Sequence, residues 1–407
     1  MSDITAVTNA VCDDIDAARG ELVELCGRLV AAPSVNPPGR TVDVAVVVRA
    51  YLSAHDISTQ TVAADDEAPN VVGQVDGGSS GRHVVFNAHM DTMEAGDQSA
   101  WSVPVLKLSK AHGRLYGLGM GNMKGALAAM CLAAAILQRR RDAWRGRLSM
   151  TAVSDEVMFG ERGAVFLLKR RPDLASDFMI SGEGPGFMDF AVAEKGLLWA
   201  DVEVKGPSGH ASRALAGSTA VMKLAALLTR LDAINELYAT PPAELAGISG
   251  GDGNLGLRVS LNAGNVTAGT VRSQMATRAV AQLDIRLPPG ISVKDIEERI
   301  RSACAGDSAI SLTVTKAWDS NWAVLQSPLV VELAAAAQAV RGEKPKYVVR
   351  LPGSDARRWR DLGVPSVCYG PQPTLSAGID DYANEQDVVD CAKIYARTAL
   401  RLMSADS

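Results

Sequence analysis

The sequence predicts an α/β protein with a mainly parallel sheet, into which a separate α+β module is inserted. The chain has 407 residues, which exceeds the size at which a single core keeps growing and favours two domains. Short apolar strands alternate with helical segments before residue 196 and again after residue 317, as in parallel sheets covered on both faces. We therefore predict one domain formed by residues 1–195 and 318–407, interrupted by a module at 196–317.

The first part of the chain opens with a predicted helix at residues 15–32. Apolar positions recur there at helical spacing until the proline-rich segment 33–39 stops the pattern. A second helix is predicted at 122–141, which is rich in Ala, Leu and Met and follows a loop containing three glycines. The shorter elements predicted here are strands at 83–88, 148–154 and 177–181 and a helix at 164–170.

The inserted module is predicted to combine strands and helices in a different order. A long amphipathic helix is expected at 219–237, and a second helix begins at Ser292, where Asp295 completes a capping box. The predicted strands of the module are 197–204, 276–286 and 309–316. Beyond Trp318 the first pattern returns, with strands at 346–351 and 364–369 and a closing helix at 385–403.

Composition excludes several classes of partner. Lys and Arg total 41 against 46 Asp and Glu, giving a net charge of −5, so neither nucleic acid nor an anionic membrane is an expected partner.

The six cysteines have no C-x-x-C spacing, so they indicate neither a disulfide framework nor a cysteine zinc site. The first residues lack a basic and an apolar signal region, and the apolar run 126–137 is too short to span a bilayer. The cytoplasm is the expected compartment.

Polar side chains follow three of the predicted strands. His89 and Asp91 lie two residues apart on extended backbone, so Asp91 can orient the imidazole; a structural histidine is an equally good interpretation of this spacing. Asp155-Glu156 and Glu183 each follow another strand. Open α/β sheets place their sites at this edge, so the three strand ends together favour a functional site over a solvated acidic turn.

Two loops offer further candidates. Gly206 to His210 ends a strand of the module, where glycines allow a ligand to approach the backbone, although a loop histidine is more often a surface residue. Ser354 and Asp355 precede a predicted helix whose backbone amides could hold an anion; equally, one of the two caps the helix.

Taken in order, these segments resemble the zinc-dependent family of acetylornithine deacetylase, succinyl-diaminopimelate desuccinylase, aminoacylase and glutamate carboxypeptidase. The resemblance covers almost the whole chain, and its motifs occur in the family's order. They are the 33–39 loop, His89-Met90-Asp91, Gly117-x-Gly119 with Asn122-Met123-Lys124-Gly125, Asp155-Glu156, Gly182-Glu183, Glu194-Lys195-Gly196, Gly206 to His210, Leu283 to Arg286 and Gly353 to Arg357. The resemblance implies a catalytic domain with an inserted ferredoxin-like lid, which also forms a homodimer; the module could equally pack within one chain.

The resemblance also assigns roles residue by residue. His89 and Glu183 match metal ligands, Asp91 the partner that orients His89, and Glu156 the general base. In the lid, His210 matches the histidine that assists the tetrahedral intermediate, from its own or the partner subunit, and Arg286 matches the anchor of the substrate carboxylate. The further positions expected to contact substrate are Ser273, where the family has a lid asparagine, Ser354 and Asn122.

The sequence departs from the family at the metal. Asn122 stands where the family has the bridging aspartate, and Val157 replaces a carboxylate ligand. The last histidine ligand is missing from the matching stretch 376–382, and no histidine follows His210. A pair of dications needs anionic ligands, so a two-zinc centre is not expected; His89, Glu183 and Asn122 could hold one weakly bound Zn or Mn ion.

Three functions remain open at this point. The first is hydrolysis of the amide bond of a small carboxylate-bearing substrate, such as an N-acyl amino acid or a dipeptide, with a reduced or absent metal centre and with Glu156 activating water. The second is metal-independent acid/base chemistry on a small carboxylate, namely elimination, isomerisation or amide formation, in which His210 or Lys195 stabilises an anion. The third is a catalytically silent protein that binds a small acid or a partner.

Overall fold

The computed structural model describes residues 4–373 and 378–404, and the chain divides into two compact units. The first unit comprises residues 1–192, 322–347 and 354–407; the second comprises 193–321 and 348–353. The helices are α1 Ile4–Ala17, α2 Arg19–Ala31, α3 Val42–Ala54, α4 Gly125–Arg139, α5 Ala164–Arg170, α6 Ala220–Leu231, α7 Val293–Cys304, α8 Pro328–Arg341, α9 Ala356–Arg360 and α10 Glu385–Ser404.

The strands are mostly short. They are β1 Ser58–Ala63, β2 Pro69–Asp76, β3 His83–His89, β4 Ser109–Ala111, β5 Arg114–Tyr116, β6 Arg147–Val153, β7 Phe178–Ser181, β8 Phe190–Glu194, β9 Gly196–Lys205, β10 Ser260–Ala268, β11 Arg278–Leu287, β12 Ile310–Trp318, β13 Asn321–Trp322, β14 Tyr347–Arg350, β15 Ser366–Cys368 and β16 Tyr382–Asn384.

The first unit is built on a mixed sheet whose strands run in the order β1-β2-β6-β3-β7-β15-β8. Its central pairs, β6 with β3, β3 with β7, and β7 with β15, are parallel. The helix α4 is buried along almost its whole length, because Ala, Leu and Met occupy every side of it. The parallel register places the carboxyl ends of β3, β6 and β7 at one edge of the sheet, and the predicted α/β class is confirmed.

One helical stretch, Met120–Arg139, is long and apolar enough to cross a membrane by length and composition, but it is almost entirely buried. Its burial among α1, α2, β3 and α10 is that of a core helix. We therefore assign its apolar character to the packing of the first unit.

The second unit contains a four-stranded antiparallel sheet in the order β10-β11-β9-β12. Apolar residues alternate along β9 and β11, and those of one face pack against α6 and α7. The predicted capping box at Ser292 and Asp295 is present at the start of α7. A sheet with helices on one face is the predicted α+β module.

Three predicted helices have different bounds in the structure. The helix predicted at 15–32 is divided at Ala18, close to Gly20, a residue that weakens helices. The helix predicted at 219–237 ends at Leu231 and continues as a 3₁₀ turn. The helix predicted from residue 122 begins at Gly125, because Asn122 has extended backbone angles (φ −138°, ψ 97°).

Candidate functional site

Three strand ends of the first unit bring one imidazole and two carboxylates together. His89 ends β3, Glu156 follows β6 and Glu183 follows β7. The Nε2 atom of His89 lies 3.8 Å from a carboxylate oxygen of Glu156 and 3.7 Å from one of Glu183. One donor atom from each of the three side chains lies within 4.8 Å of the others, and all three residues are buried. This is a donor set for a divalent cation.

The ring of His89 is oriented by the segment that follows it. Its Nδ1 lies 2.8 Å from the backbone oxygen of Asp91, so Nδ1 donates and Nε2 faces the carboxylates. The Asp91 carboxylate, 3.6 Å from the same ring nitrogen, accepts hydrogen bonds from the amide of Asn36 at 2.9 Å and from the backbone N–H groups of Glu156 and Val157 at 3.2 and 3.0 Å. Asp91 therefore fixes the loop that carries Glu156 as well as the imidazole.

The turn that carries Glu156 has an unusual backbone. Asp155 adopts a left-handed conformation (φ 59°), which is uncommon for residues other than glycine. Its carboxylate accepts hydrogen bonds from the Asn36 amide at 3.1 Å and from the backbone and side-chain nitrogens of Arg162 at 3.2 and 3.3 Å. These contacts hold the turn, and with it the direction of the Glu156 side chain.

Asn122 completes the surroundings of His89. Its Oδ1 lies 3.0 Å from His89 Nε2, so the amide oxygen accepts a hydrogen bond from the ring. The extended backbone at this position, just before α4, lets the side chain reach the ring. A neutral oxygen therefore occupies the place beside Nε2 where an aspartate would add a negative charge.

The electrostatics of the site favour a charged imidazole. Burial alone would lower the pKa of His89, but the carboxylates of Asp91, Glu183 and Glu156 outweigh burial and hold it well above the ordinary value. Burial opposes ionisation of Asp91 too, yet His89, Asn36 and the Val157 amide lower its pKa. The acidic side chains around the ring thus favour its charged form.

Asp355 is a buried carboxylate of this site, and the sequence analysis assigned it no role there. It accepts a hydrogen bond from the Asn87 amide at 3.1 Å. Burial, and to a smaller extent the charge of Glu183, raise its pKa to about 7.

Ser354, a predicted substrate contact, is buried. Its hydroxyl lies 3.2 Å from Cys368 Sγ and accepts a hydrogen bond from the N–H of Ala356. This contact precedes α9, whose N-cap residue Asp355 makes no side-chain capping hydrogen bond.

Asp381 and Asn36 are two further residues that sequence reasoning did not single out. The Asp381 carboxylate accepts hydrogen bonds from the backbone amides of Gly119 and Gly121 at 2.8 and 3.2 Å, which fixes the loop before Asn122. Burial raises the pKa of Asp381 to about 6. In the stretch matched to the missing histidine, Ser376 and Ala377 lie outside the described residues. Asn36 belongs to the 33–39 loop motif, but the motif does not indicate its partners, which are 55 and 119 residues away.

The other predicted site residues lie in the second unit. Arg286 forms two hydrogen bonds with the Asp284 carboxylate, at 2.7 and 2.8 Å. His210 is exposed, and its Nδ1 lies 2.8 Å from the hydroxyl of Ser212. Ser273 is exposed as well, and its carbonyl accepts a hydrogen bond from the N–H of Ala211 at 2.9 Å. Each has a side chain accessible to a ligand, and their roles stay predictions.

Comparison with known proteins identifies the family. The model of peptidase family M20/M25/M40 matches residues 85–401. A succinyl-diaminopimelate desuccinylase of Methylocella silvestris is 27% identical over 390 residues, covering 92% of this chain and 96% of that protein. Among solved structures, the dipeptidase Dug1p of Saccharomyces cerevisiae (TM-score 0.76, 13% identity) covers 98% of this chain and 99% of its own. Human carnosine dipeptidase 1 (TM-score 0.74, 15% identity) covers 98% and 100%.

The family match and the desuccinylase relatives identify a hydrolase of amide bonds. The chain belongs to peptidase family M20/M25/M40, and the resemblance inferred from its motifs is confirmed.

Proposed function

We propose that this protein hydrolyses the amide bond of a small carboxylate-bearing substrate, such as an N-acyl amino acid or a dipeptide, with Glu156 as the general base. The observation that carries the proposal is the convergence of Glu156 with His89 and Glu183 at one edge of the sheet. A desuccinylase among the relatives and dipeptidases among the structural neighbours support this class of substrate. We also propose that the protein acts in the cytoplasm.

The donor set supports a site for one divalent ion rather than two. We propose His89 and Glu183 as the nitrogen and carboxylate ligands of Zn or Mn, with Glu156, whose carboxylate oxygen lies within 4.8 Å of both donor atoms, as the base beside the ion. The contact of Nδ1 with the Asp91 carbonyl leaves Nε2 as the ligand atom once its proton is released. A second ion lacks anionic ligands at Asn122 and Val157. When bound, an ion supplies Lewis-acid polarisation of the amide carbonyl.

The residues of the chain divide the work of hydrolysis. Glu156 accepts the proton of the attacking water and returns it to the leaving nitrogen. Asp91 positions His89 and, through the backbone amides of Glu156 and Val157, the base itself. In the lid, we propose that Arg286 anchors the substrate carboxylate and that His210 stabilises the oxyanion; Ser273, Ser354 and Asn122 remain proposed substrate contacts.

A second candidate function is metal-independent acid/base chemistry on a small carboxylate. Two observations favour it: the hydrogen bond between Asn122 and His89, which occupies Nε2, and the Asp355 pKa of about 7, which suits proton transfer at neutral pH. The predicted silent binder would show neither reaction.

The substrate class can be tested with a panel of amides. We expect the purified enzyme, assayed with and without added zinc or manganese, to release primary amine from N-succinyl or N-acetyl amino acids or from dipeptides. Blocking the substrate carboxylate as an amide should lower kcat/KM by about tenfold or more, since a charged hydrogen bond contributes roughly 1.5–3 kcal/mol. Fluorescent detection of the amine measures the rate. If no member of the panel is cleaved under any metal condition, amide hydrolysis is wrong and the second candidate takes its place.

We propose that the second unit forms a homodimer contact. In its sheet β10 is an edge strand, and such edges are available for pairing. Exposed apolar side chains lie on β10 and beside it: Val266 on the strand, Val271 in the following loop, and Val221 and Met222 on α6. Val221 and Val271 line one shallow hollow. A second copy of the chain would cover these groups.

Sedimentation velocity at micromolar concentration tests the dimer. We expect the wild type to sediment as a dimer, and the double substitution Val266→Lys with Val271→Lys to produce monomers, because four lysines would face one another across the contact. Val331→Lys is the matched control, since Val331 is an equally exposed valine on α8 of the first unit. A monomeric wild type would remove the dimer and the proposal that His210 reaches the partner's site.

A further inference from the structure

Three basic residues of the second unit lie at one end of its sheet. The register pairs Arg286 of β11 with Leu197 of β9 on one side and with Ser260 of β10 on the other. Lys195 precedes Leu197 by two residues, and Arg258 precedes Ser260 by two. Since side chains alternate between the faces of a sheet, both lie diagonally next to Arg286 on the same face, within reach of long side chains. We call Lys195, Arg258 and Arg286 the cation cluster.

The neighbouring residues confirm which face this is. Leu198, Val259 and Ile285, which alternate with the cation cluster along the three strands, belong to the core formed with α6 and α7. The cation cluster is therefore on the face opposite the helices. Asp284, two residues before Arg286, shares this face and binds the Arg286 guanidinium through both of its oxygens.

Lys195 and Arg258 of the cation cluster have no carboxylate partner among the described residues. Asp284 binds Arg286, while, within the described residues, the ammonium of Lys195 and the guanidinium of Arg258 form no ion pair or side-chain hydrogen bond. The Nε of Arg258 is buried without a partner, and Lys195 is only 3% exposed. Burying unpaired cations is costly unless an anion offsets the charge.

The acidity of Lys195 agrees with this unpaired charge. Burial, followed by the positive charges of Arg258 and Arg286, lowers the pKa of Lys195 to about 8. Repulsion from Arg258 and Arg286 thus disfavours the charged form of Lys195, and an anion bound among the three side chains would stabilise that form.

We propose that the cation cluster is a subsite for a substrate group that carries two negative charges, and that Arg258 and Lys195 select this group over a single carboxylate. One arginine suffices for one carboxylate, and it forms two hydrogen bonds with it. Two additional cations beside that arginine match a phosphate monoester or a pair of carboxylates. The inference deepens the proposed function, on which it rests for the view that the bound group belongs to a substrate.

Calorimetric titration of the full-length protein with three anions tests the proposal. The probes are phenyl phosphate, malonate and acetate at neutral pH and low ionic strength. We expect one or both of the doubly charged probes to bind at least tenfold more tightly than acetate; which of the two binds better distinguishes a phosphate from a dicarboxylate site. Arg258→Gln should weaken that binding about tenfold and leave acetate nearly unchanged, because a charged hydrogen-bond donor is lost. Arg258→Lys, which keeps the charge, should retain most of the affinity.

Arg278→Gln is the matched control. Arg278 lies on the same strand and face eight residues away, and its guanidinium is paired with Glu203 at 2.8 Å. Equal binding of all three probes by the wild type, or equal losses in Arg258→Gln and Arg278→Gln, would overturn the proposal. Thermal unfolding of each variant identifies one that fails to fold, in which case Lys195→Met supplies the test. Turnover does not enter the measurement, so a chain that hydrolyses no amide but binds dianions would contradict only the proposed function.

Discussion

Glu156→Gln is expected to lower the turnover number for amide hydrolysis by roughly 10²–10⁴, the contribution of a positioned general base. The amide has nearly the shape of the carboxylate, and the backbone N–H of residue 156 still binds Asp91, so the loop keeps its place. The amide cannot accept the proton of water. Steady-state kinetics on the best substrate of the panel should therefore show a fall in kcat with little change in KM.

Two measurements separate this role from others. Glu161→Gln is the matched control: it is a change of the same type at an exposed position, and it should leave kcat unchanged. Metal content must be measured in parallel, because Glu156 also belongs to the donor set. If Glu156→Gln loses the ion together with the activity, Glu156 acts as a ligand; if kcat is unchanged, it has no catalytic role.

Asn122→Asp is expected to strengthen metal binding by at least about tenfold. The Asn122 oxygen lies 3.0 Å from His89 Nε2, so an aspartate here adds a negative charge beside the donor set. Two opposite unit charges 4 Å apart interact by roughly 4 kcal/mol at an effective dielectric constant of 20, and a third of that energy already gives a factor of about ten. Competition with a chelator measures the zinc affinity, and elemental analysis measures the stoichiometry.

Asn262→Asp is the control for this change, since Asn262 is exposed on β10 of the second unit. It should leave zinc affinity unchanged. We expect at most one ion per wild-type chain. Two tightly held ions in the wild type would contradict the inference from Asn122 and Val157, whereas equal affinity of Asn122→Asp and the wild type would place the ion away from residue 122.

The sequence predicted strands with a clear apolar pattern and missed those in which proline, glycine or polar residues interrupt it. β3 and β6 were expected within two residues of their bounds, because continuous apolar runs identify strands that are covered on both faces. β10 was missed: most of its residues are exposed, and Asn, Gly and Thr interrupt the apolar alternation. β2 was missed as well, although it is largely buried, since it starts at a proline and contains a glycine.

The site was predictable where a residue follows a strand, and not where it acts across the fold. His89, Glu156 and Glu183 could be proposed as neighbours because parallel strands end at one edge. The contact of Asn122 with His89 depends on local backbone angles that a helical pattern conceals. Asp355 could be read from sequence only as a helix cap; its burial beside Asn87, 268 residues away, is a property of the folded chain.

The amide of Asn36 has one further consequence. It donates to Asp91 at 2.9 Å and to Asp155 at 3.1 Å, and so joins the segments that carry the imidazole and the base. Neither segment can shift without breaking a buried, charge-assisted hydrogen bond. The folding of the first unit thus preorganises the reacting groups. Ordering them therefore costs no binding free energy when a ligand arrives.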